Sequence, residues 1–263
     1  MKSFYFISGL PRSGSTLLSA ILRQNPDFYA DISSKVSSIV SYAIENISKS
    51  IQDAIIDEYQ RKNILYGIFD GYYKHVDRQV VFDTGREWTS KTFLIKELFP
   101  DTKIICCVRD IVSILNSFES IFSKNPLSNN KLLKNTNDVY SRCFEMMNSE
   151  NGIVGAPLLY LNEGYAANPQ MIHFVEYENL CKNPEKTLND IYEFLEMPYY
   201  SHDFENVEYS NKNFDFNCNV NNLHTVRKKV EFNPPKYILP LDIIKRYKEM
   251  NMEFWVKNKL NYQ

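Results

Sequence analysis

The feature that most constrains the fold is a glycine-spaced turn set between two apolar runs. Phe4-Tyr5-Phe6-Ile7 leads into Gly9-Leu10-Pro11-Arg12-Ser13-Gly14-Ser15-Thr16, and Leu17-Leu18-Ser19-Ala20-Ile21-Leu22 follows. This order reads as a buried strand, a tight turn and a helix. Gly9 and Gly14 let the backbone curl so that successive N–H groups point inward, and the helix adds its positive N-terminal end. That is the setting of a phosphate-binding loop. The pattern departs from the triphosphate loop G-x-x-x-x-G-K-[ST] at one place: Ser15 stands where the lysine belongs, and the cation is Arg12, inside the turn. A Gly/Ser/Pro-rich connection with no ligand is the competing reading of the loop alone.

The rest of the chain alternates strands with helices. Residues 79–82, 103–108 and 171–175 are apolar runs that read as strands, and 103–108 is apolar on both faces, as a central parallel strand must be. Helical spacing covers a first helix ending before Asn25-Pro26, two or three helices in 33–73, and helices at 89–98, 111–122, 137–148 and 156–166. Pro184 opens another helix, and an amphipathic helix closes the chain from about 240 to 260. Polar stretches near 123–135 and 203–235 read as mobile loops. The expectation is an α/β fold, a central parallel sheet of P-loop type flanked by helices on both faces, in a single domain over residues 1–263.

Composition removes several classes. With a net charge of −2 over 263 residues, neither general nucleic-acid binding nor membrane-surface binding is expected, so an anionic ligand must be held by a local pocket. No apolar stretch is long enough to span a membrane and no leader pattern precedes the first strand, so the expectation is a cytoplasmic protein. The five cysteines include no C-x-x-C, and Cys106 and Cys107 point to opposite faces of one strand. They read as reduced core residues, with neither a disulfide framework nor a metal site.

Four strand ends bring polar side chains to one sheet edge: Arg12 with its loop, residues 83–86, Arg109, and residues 176–178. Ser113 and Ser117 share a helix face beyond Arg109, so a cation and a hydroxyl can hold one oxyanion between them. These residues resemble sulfotransferases that use 3′-phosphoadenosine-5′-phosphosulfate (PAPS), in the bacterial and tyrosylprotein branch. The resemblance implies that Pro11-Arg12-Ser13-Gly14-Ser15-Thr16 holds the 5′-phosphosulfate, that Arg109 and Ser117 hold the 3′-phosphate, and that Tyr177, in Tyr177-Glu178-Asn179-Leu180, contacts the adenine. It also implies a late basic contact, for which Arg227 is the first choice in the cluster with His224, Lys228 and Lys229, and transfer without a metal.

The base is not given by that pattern. Related enzymes use a His after the second strand or a Glu after the first helix; here those places hold Asp83, Arg86 and Glu87, and Asp31. Asp83 is the preferred base because it ends its strand, with Arg86 orienting the donor, while Asp83 as a loop or helix cap stays open. His75 and His224 are weaker candidates. The expected acceptor is a hydroxyl, or less favourably an amine, of a small molecule such as a specialised metabolite. The alternatives are a protein tyrosine, a non-catalytic nucleotide-binding module, or a P-loop kinase, which Ser15 disfavours. Monomer and homodimer are equally open.

Overall fold

The computed structural model describes residues 2–47, 55–124, 138–209, 224, 226–248 and 250. Residues 125–135 of the expected loop near 123–135, residues 210–223 and 225 of the 203–235 loop, and residues 249 and 251–260 of the expected closing helix lie outside the described residues.

In chain order the elements are β1 (Ser3–Gly9), α1 (Ser15–Leu22), β2 (Phe28–Ala30), α2 (Val36–Asn46), α3 (Glu58–Tyr72), β3 (Val80–Thr84), a 3₁₀ turn (Arg86–Lys91), α4 (Thr92–Leu98), β4 (Ile104–Val108), α5 (Ile111–Lys124), α6 (Val139–Met146), α7 (Gly155–Ala167), a short 3₁₀ turn, β5 (Ile172–Glu176), α8 (Tyr177–Lys182) and α9 (Pro184–Leu195). Residues 241–248 are helical again. The five strands run in the order β2-β3-β1-β4-β5 and every pairing is parallel. The α/β class read from the sequence is therefore the observed one. β2 is an addition: three residues on the sheet edge, too short for a periodic signal.

Alternation along the strands divides the core into two layers. Phe4, Phe6, Val81, Ile104 and Cys106 face α2, α3 and Leu161 of α7. Ile7, Phe82, Ile105, Cys107 and Val175 face α1, α8 and α9. Cys106 and Cys107 thus lie on opposite faces, both buried, and burial pushes both thiols up, Cys107 to about 12. A third cluster joins α5 and α6 to Leu239, Ile243 and Tyr247. Local signals fix several helix ends. Asp57 and Gln60 form a reciprocal capping box on α3, Asp138 caps α6 through the Ser141 amide at 2.9 Å, and Pro184 opens α9. No helix among the described residues is long and apolar enough to cross a membrane.

Candidate active site

The turn after β1 is built against β4. Gly9 has φ +99°, and a Cβ there would lie 2.2 Å from the Cys107 carbonyl oxygen, so only glycine lets the two strands approach this closely. The Leu10 amide donates to the Cys107 carbonyl at 2.8 Å. The buried Ser13 hydroxyl contacts that same carbonyl at 2.8 Å and also the Leu10 carbonyl. Ser13 therefore closes the turn with its side chain, which does not line the cavity described below. Arg12 sits at φ +56° in the left-handed region, where a residue with a Cβ is disfavoured, and Gly14 follows at φ +90°.

β3 delivers Thr84, Gly85 and Arg86 beside that turn. The Gly85 amide donates to the Ile7 carbonyl at 3.0 Å, and the Ser8 hydroxyl donates to the Arg86 carbonyl at 3.1 Å. The Arg86 guanidinium reaches back to the Leu10 carbonyl at 2.9 Å and the Ser15 hydroxyl at 3.1 Å. Burial lowers its pKa from the ordinary value.

Asp83 requires a correction. It was expected to face the transferred group, but it is fully buried and lines no part of the cavity. Its carboxylate accepts from Tyr73 Oη at 2.6 Å, Trp88 Nε1 at 2.6 Å and Ser34 Oγ at 2.7 Å. Burial raises its pKa against the downward pull of those three bonds. Of the other acids considered, Asp31 accepts from the Ile32 amide at 2.8 Å and from Tyr209 Oη. His75 borders a different depression, with Tyr29 and Arg78. Glu87 does line the cavity, its carboxylate 3.0 Å from Lys91 Nζ.

β4 is followed directly by Arg109, whose Nη1 donates to the Arg12 carbonyl at 3.2 Å. Its guanidinium lies 4.2 Å over the Tyr177 ring, and its Nε stands 3.7 Å from Glu178, beyond hydrogen-bond reach. Among the described residues, that buried Nε has no hydrogen-bond partner. Ser117 accepts from Arg12 Nε at 3.1 Å. Ser113, the other member of the expected pair, is buried and contacts Tyr237 Oη at 3.1 Å. Tyr177 supports both sides: a Cβ on Gly14 would lie 2.8 Å from its ring.

These residues border one cavity of about 600 Å³. Pro11, Arg12, Gly14, Ser15 and Thr16 form its floor, with Arg86, Arg109 and Tyr177 beside them. Arg227 lies at the rim, two-thirds exposed and 3.8 Å from Glu231. The lining also includes Ile153, just before α7, and Pro157 and Tyr160 within α7, which the sequence reading did not single out. A helix face that lines a cavity has the same period as one that lines the core, so nothing in the pattern marked Tyr160. Among the described residues, no group of three or more His, Cys, Asp and Glu side chains could hold a metal ion.

A parallel sheet with three arginines converging on a strand-to-helix turn defines an anion-handling protein of the P-loop type. The comparisons carry this further. Residues 5–201 match the model of the sulfotransferase family. Protein-tyrosine sulfotransferase A of Caenorhabditis elegans is 27% identical over 204 residues, which is 74% of this chain and 50% of that protein. The chain thus spans about half the length of this curated relative. A sulfotransferase domain from the curacin biosynthetic pathway aligns over 76% of each chain with TM-score 0.51 and 17% identity. A sulfotransferase from Alicyclobacillus acidocaldarius aligns over 77% of this chain and 84% of its own, with TM-score 0.52 and 15% identity. The chain belongs to the sulfotransferase family, whose members move a sulfuryl group between oxygen or nitrogen atoms.

Proposed function

We propose that this chain, acting as one domain, transfers a sulfuryl group from PAPS to a hydroxyl of a small molecule. The observation that carries the reading is the convergence of Arg12, Arg86 and Arg109, from three separate strand ends, on one cavity with the start of α1. The donor has an anionic group at each end of its ribose, and this cavity is lined by cations from separate strand ends, Arg12 after β1 and Arg109 after β4. The residues fit such a ligand. The buried Arg109 Nε can donate to a phosphate oxygen, and the left-handed turn at Arg12 and Gly14 leaves the following amides for the 5′ end.

In this reading Arg12 and the amides of residues 13–16 hold the 5′-phosphosulfate, Arg109 takes the 3′-phosphate with Arg227 at the rim, and Tyr177 braces Gly14 and Arg109. The bound donor supplies the sulfuryl group. Positioning and charge stabilisation are what the protein contributes, as in phosphoryl transfer. Arg12 stabilises charge on the departing phosphate oxygen and stays protonated throughout. Arg86, fixed by the Leu10 carbonyl and Ser15, holds the turn in shape. With Asp83 withdrawn into the core, Glu87 is the carboxylate assigned to the acceptor's proton.

A protein tyrosine is the second reading of the acceptor, favoured by the name of the Caenorhabditis elegans relative. Calorimetry with the desulfated product, 3′-phosphoadenosine 5′-phosphate, tests the donor without metal. Binding is expected, and no binding up to about 1 mM would refute the assignment. ATP with Mg²⁺ binding in its place would return the site to a kinase, and product binding without any turnover would make it a nucleotide-binding module. Arg109→Ala is expected to weaken the 3′,5′-bisphosphate by about ten- to a hundredfold, the size of one charge-assisted hydrogen bond, and adenosine 5′-phosphate far less. Turnover with phenols, alcohols and tyrosine peptides then separates the acceptors.

A further inference from the structure

Helix α7 is fastened, backbone against backbone, to the turn that carries Arg86 and Glu87. A Cβ on Gly164 would lie 2.0 Å from the Thr89 carbonyl oxygen, an approach that only glycine allows. A second tie closes the end of the helix: the buried Asn168 side-chain amide donates to Thr92 Oγ1 at 2.9 Å, where α7 stops and α4 starts. Pro157, Tyr160 and Gly164 are spaced to share one face of α7. Leu161, beside Tyr160, is buried in the core with Phe6 and Trp88, while Pro157 and Tyr160 line the cavity. Glu87, two residues before Thr89, lines the same cavity next in sequence to Arg86, whose guanidinium touches Ser15. The pinned helix therefore brings an aromatic ring to the cavity from the element locked onto the Glu87 turn.

The other aromatic rings at the cavity are already engaged. Tyr177 lies under the Arg109 guanidinium, and Phe118 is buried and stacked against Phe122. Tyr160 is half-buried and, among the described residues, stacks on no other ring. We infer that Tyr160 is a specificity-determining residue for the acceptor, its ring selecting acceptors that present a flat aromatic face. The inference deepens the PAPS reading of the site and rests on it. A ring on a helix that cannot slide gives an aromatic acceptor a fixed surface to pack on, and a saturated skeleton of the same size gains burial there without the ring-to-ring contact.

The test is calorimetry of 2-naphthol, and of its saturated counterpart decahydro-2-naphthol, into the chain saturated with the 3′,5′-bisphosphate. No transfer occurs in that complex, so affinity is read apart from chemistry. The aromatic compound is expected to bind about tenfold more tightly, and Tyr160→Leu is expected to cut that ratio to within about twofold while the Kd of the bisphosphate stays within about threefold. Tyr160→Phe, which keeps the ring, is expected to keep the ratio. In turnover, Tyr160→Leu is expected to raise the KM for 2-naphthol about five- to tenfold with kcat within about threefold. An unchanged ratio in Tyr160→Leu, equal binding of the two compounds by the unaltered chain, or no binding of 2-naphthol up to about 1 mM would overturn the proposal. Failure of the unaltered chain to bind the bisphosphate is a different result, which removes the donor assignment beneath the proposal.

Discussion

The Asp83 carboxylate accepts the Trp88 indole N–H at 2.6 Å, across the turn that carries Gly85 and Arg86. A Cβ on Gly85 would lie 2.9 Å from that indole nitrogen, so the turn is closed tightly around this bond. With Tyr73 and Ser34 also donating, one buried carboxylate ties α3, the start of α2 and the 3₁₀ turn to the end of β3. Its service to the site is mechanical: it sets the path along which Arg86 reaches the loop.

Asp83→Asn tests this role. The amide keeps one acceptor oxygen and turns an NH₂ group toward a cluster of donors, of which the Trp88 N–H cannot reverse. The expected loss of stability is about 1–3 kcal/mol, read as a lower denaturant midpoint, and turnover falls with the folded fraction. A variant of normal stability whose kcat is nonetheless reduced a hundredfold would return Asp83 to a chemical role.

His202 gives a pH signature. It is buried, its Nε2 is 3.1 Å from Tyr192 Oη, and burial lowers its pKa from 6.5 to about 4. Between those values the unfolded chain binds more protons than the folded one, so stability rises with pH across that window. The contribution is complete above the unfolded value and is lost as the pH falls toward 4, on the order of 3 kcal/mol. His202→Gln is expected to flatten the slope of unfolding free energy between pH 7 and pH 4; an unchanged slope would show that other groups set it.

Two glycines are expected to respond oppositely to alanine. At Gly14, φ +90° and the Tyr177 ring 2.8 Å from the new Cβ oppose the substitution. Gly14→Ala should weaken the bisphosphate at least tenfold and lower the melting temperature, from backbone strain of about 1–2 kcal/mol. At Gly67, inside α3, a Cβ meets nothing within 4 Å. Gly67→Ala should raise stability by about 0.5–1 kcal/mol and leave ligand affinity alone.

The strands and the turn were legible because their signals are local. Four of the five strands are apolar runs, and the turn declares itself through glycine spacing. The face on which a strand-end residue lies was legible as well, from the period of two. Asp83 alternates with Val81 and pairs in register with Phe6, and both belong to the layer beneath α2 and α3. Assigning Asp83 to the cavity treated the strand end as a point, when it still obeyed the pleat. The partners of Ser117 and Ser113 were not legible. Helical spacing placed the two hydroxyls on one face, but Arg12 meets the first across 105 residues and Tyr237 meets the second across 124. Such contacts depend on tertiary packing that no local pattern carries.

Glu87 is where the revised site is most exposed to experiment. Glu87 borders the cavity next in sequence to Arg86, whose guanidinium touches Ser15 at the start of α1, so it stands on the side assigned to the 5′ end. The other carboxylate at the cavity among the described residues, Glu231, pairs with Arg227 at the rim, on the side assigned to the 3′ end. Lys91 orients Glu87 from one turn away at 3.0 Å without enclosing it. If Glu87 takes the acceptor's proton, Glu87→Gln removes the base while keeping shape and hydrogen bonding. The expected result is a fall in kcat of about 10²–10⁴ with the affinity for the bisphosphate unchanged. The size of the fall should shrink for acceptors of low pKa, such as nitrophenols, that arrive already ionised. A uniform loss across acceptors of all pKa values would show that Glu87 shapes the cavity and that the proton leaves by another route.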